Sequence, residues 1–270
     1  MIPIAVQIAR PRVVNPGRLC DHGPVPARFF ARNRQGSEQA LSVNVVLLPF
    51  AGGHSYSYRA LVAALPAGLR PLTPELPGRG MRISAPRLTD LCAMADDLVR
   101  ELAPELNNPW LLYGHSMGGL TALLLARRLR ALGLRPPEHL VVSGVEGPAV
   151  YGGKKERHRL PREEFRQEIK DLGGSPPEIL DDDEFFRFFE PILRGDFQAL
   201  ETFAYRPEPP LDLGISVILG QDDNVTPEKA QAWQVETTRP LELLVWPGDH
   251  FFIFPQAPAL GRLLAEKAGL

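Results

Sequence analysis

Cysteine is scarce in this sequence, and its scarcity excludes one class of small secreted proteins. The 270 residues include only two cysteines, Cys20 and Cys92, and these do not form a C-x-x-C pair. Two thiols are too few to hold together a scaffold built from disulfides. We therefore expect a protein of the reducing cytoplasm.

The sequence also lacks an excess of charge of one sign and any long apolar run. Its 30 basic and 32 acidic residues give a net charge of −2, which offers no global reason to bind nucleic acid or an anionic membrane. No apolar run approaches the length of a transmembrane helix. The mildly apolar residues 1–9 follow no basic segment and include Pro3, so they do not resemble a secretion signal. Neither a nucleic acid nor a membrane is expected as a partner.

What the sequence does contain is an alternation of apolar strands and amphipathic helices. Strand-like runs occur at 42–48, 70–73, 109–113, 139–144, 215–220 and 241–246, and helical apolar spacing occurs at 56–65, 88–106 and from 117 onward. Thr89 or Asp90 is the expected N-cap of the second helix. Strands that alternate with helices predict an α/β fold with a mostly parallel, doubly wound sheet.

Two segments fall outside this alternation. Residues 1–40 contain five prolines and are predicted to be an extended leader. Residues 146–206 show helical patterns but no clear strand, which predicts a helical cap, or lid, inserted into a core of residues 41–145 and 207–270. A helix at 162–172 is expected to end at Gly173-Gly174.

A phenylalanine-rich stretch at 184–189 is expected to close at Pro191. Its four phenylalanines lie within five residues, at 185, 186, 188 and 189, and cannot all face one side of a helix. They either fix the cap to the body of the protein or line an apolar pocket, and the sequence leaves both interpretations open.

The most informative motif is Gly114-His115-Ser116-Met117-Gly118, which reads G-x-S-x-G between an apolar strand and a helix. This context is typical of a nucleophile elbow, in which glycines keep side-chain bulk away from a strained turn. Ser116 is therefore the predicted nucleophile. The alternative is an ordinary glycine-rich turn with a capping serine.

A serine nucleophile needs a base and an acid that orients the base. In the α/β-hydrolase order the three follow one another as Ser, acid and His, and of six histidines only His250 comes after the last predicted strand. The acid should follow the preceding strand, where Asp222 and Asp223 are adjacent. We predict Asp223 from the usual register of that loop. Asp249 is expected to form a turn instead.

Two histidines near the predicted site are expected to have structural roles. His115 is predicted to be packed with its ring nitrogens satisfied, and His54 to order the glycine loop through a hydrogen bond. Stabilisation of an acyl-transfer oxyanion requires backbone N–H donors, and we predict Met117, directly after the nucleophile, and Ala51, in the loop after the first strand.

Several blocks in a fixed order give the sequence a family resemblance. It resembles the type II thioesterases, the discrete editing enzymes that accompany nonribosomal peptide and polyketide synthases, over about residues 44–265. The blocks that carry the resemblance are residues 48–53, 76–79, 114–119, 191–197 and 248–252. The sequence departs from the family at Phe50, where His is common, and at Gly119, where Ala is common. The form of the glycine loop is most similar to members that serve siderophore synthases.

The resemblance implies the α/β-hydrolase fold with a lid, and hydrolysis of acyl or aminoacyl thioesters on the phosphopantetheine arm of a carrier protein. It implies no cofactor and no metal, an acyl or peptidyl carrier protein domain as partner, and a monomer. Because carrier proteins are generally acidic, two basic clusters are candidates for docking: Lys154, Lys155, Arg157 and Arg159 in the cap, and Arg127, Arg128 and Arg130 after the elbow. The alternative for both clusters is a solvated face.

The predicted triad leaves other activities open. An acyltransferase or a cyclising release domain would use the same residues with an alcohol or amine acceptor. A general carboxylesterase or lipase also occurs on this fold, because fold alone does not fix the substrate. A non-enzymatic scaffold that binds carrier proteins is the remaining alternative, and the intact Ser116, Asp223 and His250 argue against it.

Overall fold

A parallel sheet forms the centre of the computed structural model, which describes residues 42–153, 155–173 and 177–270. The predicted leader at 1–40 and Lys154 lie outside the described residues. Within them, six strands are β1 (Val43–Leu48), β2 (Leu69–Leu72), β3 (Trp110–His115), β4 (His139–Ser143), β5 (Gly214–Gly220) and β6 (Glu242–Trp246). Their order is β2-β1-β3-β4-β5-β6, and neighbouring strands are parallel throughout. The predicted α/β fold is confirmed.

Helices connect these strands in the described part of the chain. They are α1 (Arg59–Ala64), α2 (Leu91–Leu102), α3 (Met117–Ala131), α4 (Arg162–Leu172), α5 (Pro177–Asp181), α6 (Asp183–Glu201), α7 (Pro227–Gln231) and α8 (Ala257–Lys267). Of the two expected N-caps of α2, the structure uses Asp90, whose carboxylate accepts the N–H of Ala93 at 2.8 Å. None of the described helices is long and apolar enough to span a membrane.

The alternating side chains of β1 show how the sheet is buried on both faces. Val46 and Leu48 contribute to an apolar core with α2 and α3, whereas Val45 and Leu47 contribute to a second core with α1 and α8. Both faces of β1 are therefore covered, which explains why Val45 to Leu48 are consecutive apolar residues rather than alternating with polar ones.

The segment between β4 and β5 contains α4, α5 and α6, which share a small apolar core of their own. Helix α4 ends where predicted, at a C-cap Gly173 with a φ of +73°. The expectation that the phenylalanine-rich helix closes at Pro191 is wrong, because α6 continues for ten residues beyond it. The core contacts of Phe186 before the proline and of Leu193 and Phe197 after it hold both halves of the helix in place.

The four phenylalanines divide as the periodicity of a helix requires. Phe186 is completely buried, Phe189 is partly buried against the small core, and Phe185 and Phe188 remain 58% and 57% exposed. Of the four, Phe186 packs in the core that α4, α5 and α6 share, together with Leu193 and Phe197 from the same helix.

The topology places the functional loops at one edge of the sheet. From β1 the chain adds β2 on one side and then β3 on the other, so β1 and β3 are neighbours at a topological switch point. Loops at the carboxyl ends of such strands form the usual ligand crevice of open α/β sheets. The glycine loop follows β1 and Ser116 follows β3, so both lie at this crevice.

Candidate active site

Ser116 occupies a strained backbone conformation between β3 and α3. Its φ of +52° and ψ of −117° lie in a region that residues other than glycine rarely adopt. The turn is held by hydrogen bonds from the N–H of Ser116 to the carbonyl of Ser143 at 2.8 Å and from the N–H of Gly119 to the carbonyl of Ser116 at 2.9 Å. This is the geometry of a nucleophile elbow.

The flanking glycines allow the backbones to approach closely. A Cβ atom on Gly114 would lie 2.1 Å from the carbonyl oxygen of Gly118, and one on Gly118 would lie 2.1 Å from the carbonyl oxygen of Leu48. Both obstacles are backbone atoms, which cannot rotate away. The close backbone contacts therefore leave no room for a side chain at either glycine of the motif.

His250 and Asp223 meet at the ends of two neighbouring strands. Asp223 follows β5 and His250 follows β6, and the Asp223 carboxylate lies 3.0 Å from Nδ1 of the imidazole. The Asp223 side chain is 3% exposed and that of His250 is 25% exposed. If Nδ1 donates its proton to Asp223, Nε2 keeps its lone pair and can accept a proton from a nucleophile.

The neighbouring acids take other positions. Asp222 is exposed. The Asp249 carboxylate accepts the N–H of Phe251 at 2.8 Å and so forms the expected turn. Of the three candidate acids Asp222, Asp223 and Asp249, the structure brings Asp223 to the imidazole of His250.

The two predicted oxyanion donors line the same cavity as Ser116 and His250. Met117 is the first residue of α3, so its N–H belongs to the first turn, which lacks acceptors within the helix. Ala51 lies in a turn closed by a hydrogen bond of 2.9 Å from the N–H of Gly53 to the carbonyl of Phe50. The catalytic roles of these residues stay predictions that the geometry permits.

The cavity has a volume of about 470 Å³. Its apolar wall comes from the inserted segment, through Ile169 and Leu172 on α4 and Leu193, Phe197 and Leu200 on α6, and also from the core, through Phe50, Val145, Val225 and Phe251. The phenylalanines at 185, 186, 188 and 189 do not line it, so the pocket interpretation of that stretch is wrong. Leu193, Phe197 and Leu200 follow i, i+4, i+7 spacing, a signal in the sequence that could have identified this wall.

The predicted structural roles of two other histidines are partly met. His54 accepts the N–H of Tyr56 at 3.3 Å and caps the short 3-10 helix after the glycine loop. His115 is completely buried with Nδ1 2.9 Å from Oγ of Ser143, but its Nε2 has no hydrogen-bond partner. Only one of its nitrogens is therefore satisfied. Burial and the nearby His250 lower the pKa of His115 well below its ordinary value, which keeps the ring neutral.

The basic cluster after the elbow is occupied by internal ion pairs. Arg127 pairs with the buried Glu236, Arg128 pairs with Asp96 at 2.6 Å, and Arg130 pairs with Glu208 at 2.6 Å; each arginine thus has an acidic partner within the chain. These contacts contradict a docking role for the cluster.

The cap cluster differs, because Lys155 and Arg157 line the cavity. Arg157 also pairs with Glu168 at 2.9 Å. Arg159 is 69% exposed and pairs with Glu156 on the surface. Basic groups of this cluster therefore face the cavity and the solvent beside it.

With this geometry established, comparison with known proteins assigns the family. A model of the thioesterase domain matches residues 43–267. The chain belongs to the thioesterase family. The predicted enzyme class, a serine thioester hydrolase, and the resemblance to thioesterases of peptide and polyketide synthesis are thereby confirmed.

Individual relatives match this thioesterase over most of their length. Gramicidin S biosynthesis protein GrsT of Aneurinibacillus migulanus is 33% identical over 80% of the chain and 84% of its own length. Linear gramicidin dehydrogenase LgrE of Brevibacillus parabrevis is 35% identical over 87% of the chain and 90% of its own length. The solved structure of BorB, a type II thioesterase from the borrelidin biosynthetic cluster, superimposes with a TM-score of 0.78 at 34% identity, covering 85% of this chain and 94% of BorB.

Proposed function

We propose that this thioesterase removes acyl or aminoacyl groups from the phosphopantetheine arm of carrier proteins in nonribosomal peptide or polyketide synthesis. The observation that carries the proposal is the convergence, on one cavity, of Ser116 at a strained elbow and His250 held by Asp223. The similarity to GrsT, a gramicidin S biosynthesis protein, and to BorB, from the borrelidin biosynthetic cluster, supports the pathway class. The siderophore subgroup stays a prediction.

The first half of the reaction transfers the acyl group to the enzyme. Nε2 of His250 takes the proton of the Ser116 hydroxyl while Oγ attacks the thioester carbonyl. The N–H groups of Ala51 and Met117 hold the oxyanion of the tetrahedral intermediate. When the intermediate collapses, the C–S bond breaks, the thiol of the arm leaves with the proton from His250, and an acyl-serine remains.

The second half returns the enzyme to its starting state. His250 takes a proton from water, the resulting hydroxide attacks the acyl-serine, and the same backbone donors hold the second oxyanion. Collapse breaks the ester bond and His250 returns its proton to Ser116 Oγ. Because thiolates are good leaving groups, the protein's main contribution is positioning and charge stabilisation, where one oxyanion donor contributes on the order of 3 kcal/mol.

The cavity supports an acyl substituent as the recognised group. Its wall of Leu193, Phe197 and Leu200 lies beside Ser116, and its volume of about 470 Å³ is within the usual range for a small organic ligand. The charge at the cavity is mixed, because Lys155 and Arg157 line it together with Glu146, Asp171 and Asp223, and Arg157 is paired with Glu168. Lys155 and the exposed Arg159 are therefore the basic groups of the cap that we propose for contact with an acidic carrier surface.

The test compares release of one acyl group from a phosphopantetheinylated carrier protein and from the matching acyl-pantetheine, with wild type and Ser116→Ala. The proposal expects release that depends on Ser116 and favours the carrier-bound form. Ready cleavage of simple oxygen esters without carrier preference would identify a general esterase instead. Transfer of the acyl group to an added alcohol or amine, in preference to water, would identify an acyltransferase.

Charge reversal tests the docking surface separately. Arg159→Glu should raise KM for the acyl-carrier protein and leave hydrolysis of the acyl-pantetheine unchanged, because Arg159 is exposed and does not line the cavity. Arg135→Glu is the matched control, because Arg135 is a half-exposed arginine that precedes β4, at the opposite end of the strands from the site. Equal losses on both substrates would contradict docking at the cap.

A further inference from the structure

A buried ion pair lies against the turn that carries Ala51. Arg79 comes from the loop after β2 and Asp196 from α6, and their side chains are 3% and 0% exposed. The contact is bidentate, with Nη2 of Arg79 2.6 Å from Oδ1 of Asp196 and Nη1 2.7 Å from Oδ2. Burial by itself would lower the pKa of Arg79, but the Asp196 carboxylate outweighs it and leaves the pKa raised. Arg79 therefore keeps its charge inside the protein, against the Asp196 carboxylate.

Each member of the pair also holds a backbone group of the turn. Oδ2 of Asp196 accepts the N–H of Gly52 at 2.7 Å, and Nη1 of Arg79 donates to the carbonyl of Gly53 at 2.9 Å. The turn itself is closed by the hydrogen bond from Gly53 to Phe50. Gly52, at the third position of this turn, has a φ of +78°, as a type II turn requires. The ion pair thus holds the peptide groups on the C-terminal side of Ala51.

Helix α6 contacts the same turn through a second side chain. Leu193 lies three residues before Asp196, on the same face of the helix, and its Cδ2 would be 2.5 Å from a Cβ atom on Gly52. Leu193 also lines the cavity. The helix that forms the wall of the acyl pocket is therefore fixed directly to the turn beside the nucleophile.

We propose that Arg79 and Asp196 are positioning residues, which hold the turn from Phe50 to Gly53 so that the N–H of Ala51 is aimed at the developing oxyanion. The inference rests on the proposed acyl transfer at Ser116 but not on the carrier protein. A donor that is fixed before the reaction stabilises the transition state at no further cost in ordering. If the turn loses its two anchors, its N–H has to be ordered during the reaction, and this raises the barrier. The pair therefore acts on kcat and not on substrate binding.

The test is Asp196→Asn, which keeps the shape of the side chain but removes the charge that pairs with Arg79. We expect kcat for a small acyl thioester to fall by about 10- to 100-fold, less than the loss of a whole oxyanion donor, with KM within about twofold of wild type. A trifluoromethyl ketone analogue forms a hemiketal oxyanion that would use the same donors. Its inhibition constant should rise by the same factor. Titration of Ser116 with a phosphonate gives kcat per folded site.

Glu236→Gln is the matched control. Glu236 forms another fully buried pair, with Arg127, between α3 and the segment that precedes β6. The Glu236→Gln variant should lower the melting temperature about as much as Asp196→Asn does, but it should leave kcat and the inhibition constant unchanged. If Asp196→Asn also loses only stability, the pair is structural and the inference is wrong. A fall in kcat without a change in the inhibition constant would equally overturn it.

A second variant covers the case in which Asp196→Asn does not fold. Replacement of both partners by apolar residues, Arg79→Met with Asp196→Leu, removes the buried charges together, which proteins often tolerate. This double variant should fold yet keep the low kcat, because Gly52 and Gly53 still lack their anchors; wild-type kcat would refute the inference. All of these measurements use a small thioester and the labelling of Ser116, and none uses a carrier protein. A failure of the proposed carrier recognition would therefore appear only in the comparison of acyl-carrier protein with acyl-pantetheine.

Discussion

Replacement of Gly118 by alanine should damage the elbow far more than the same change at its neighbour Gly119. A Cβ atom at Gly118 would lie 2.1 Å from the carbonyl oxygen of Leu48 and 2.8 Å from that of Pro49, both of which are backbone atoms. At Gly119 the nearest atom is Cγ1 of the Val145 side chain at 2.7 Å, and the nearest backbone atom is 3.5 Å away. Relief of the clash at Gly118 requires the backbone at the end of β1 to move. Relief of the clash at Gly119 requires only the side chain of Val145 to move.

The two effects differ enough to measure. Overpacking at Gly118 costs up to about 3 kcal/mol, and the better helix propensity of alanine returns about 1 kcal/mol, which leaves a net loss of about 2 kcal/mol. At Gly119 a strained rotamer of Val145 costs about 1 kcal/mol and the same propensity gain offsets it. For a domain near this size a difference of 2 kcal/mol separates the melting temperatures by about 4–8 °C.

The assay is thermal unfolding followed by circular dichroism, together with kcat measured well below both transitions. Because Leu48 and Pro49 lead into the turn that holds Ala51, Gly118→Ala should also lower kcat in the folded state. Gly119→Ala should keep both stability and kcat near wild type. Equal melting temperatures, or a less stable Gly119→Ala, would refute the steric reasoning.

The remaining predictions concern the acid, the inserted helix and pH. Asp223→Asn should lower kcat by about three to four orders of magnitude, because an amide no longer favours the productive tautomer of the base, while the adjacent exposed Asp222→Asn should leave kcat unchanged. Phe186→Ala should lower the free energy of unfolding by about 3–5 kcal/mol, whereas Phe185→Ala should change it by less than about 0.5 kcal/mol; denaturation by urea measures both. Burial, followed by the charge of Lys267, lowers the pKa of His139 from 6.5 to about 4, so its contribution to stability should be complete above pH 6.5 and lost as the pH falls to about 4. His139→Gln should flatten that acid limb, and an unchanged pH dependence of the melting temperature would contradict the assignment.

The strands were predictable because their burial leaves a local signature. β1, β3 and β4 are covered on both faces, and such strands appear in the sequence as short apolar runs bounded by glycine, proline or polar residues. The order of the candidate catalytic residues followed from the same runs, since Ser116, Asp223 and His250 each lie within four residues of the end of a strand. Neighbouring parallel strands then bring these loops to one edge without any further information.

The contacts that organise the cavity had no such signature. Pro191 suggested the end of a helix, yet core contacts on both sides of it keep α6 continuous, which is a tertiary effect that local propensity does not contain. Arg79 and Asp196 are 117 residues apart and each resembles an ordinary surface charge in its own segment. Their pairing depends on where α6 packs against the loop that follows β1. The sequence therefore predicted the residues at the strand ends and a helical insertion, but not the contacts through which α6 completes the site around them.

The position of α6 links the recognition of the acyl group to the reaction itself. Phe197 and Leu200 contribute to the wall of the cavity, while Asp196 on the same helix holds the turn beside Ser116. Leu193 contacts both the cavity and Gly52, so a smaller residue there would enlarge the pocket and loosen the turn at once. Ala51 of the same turn packs against the apolar clusters that contain Phe197 and Leu200. Substitutions on this face of α6 are therefore expected to change the acyl group that fits and the rate of its transfer together.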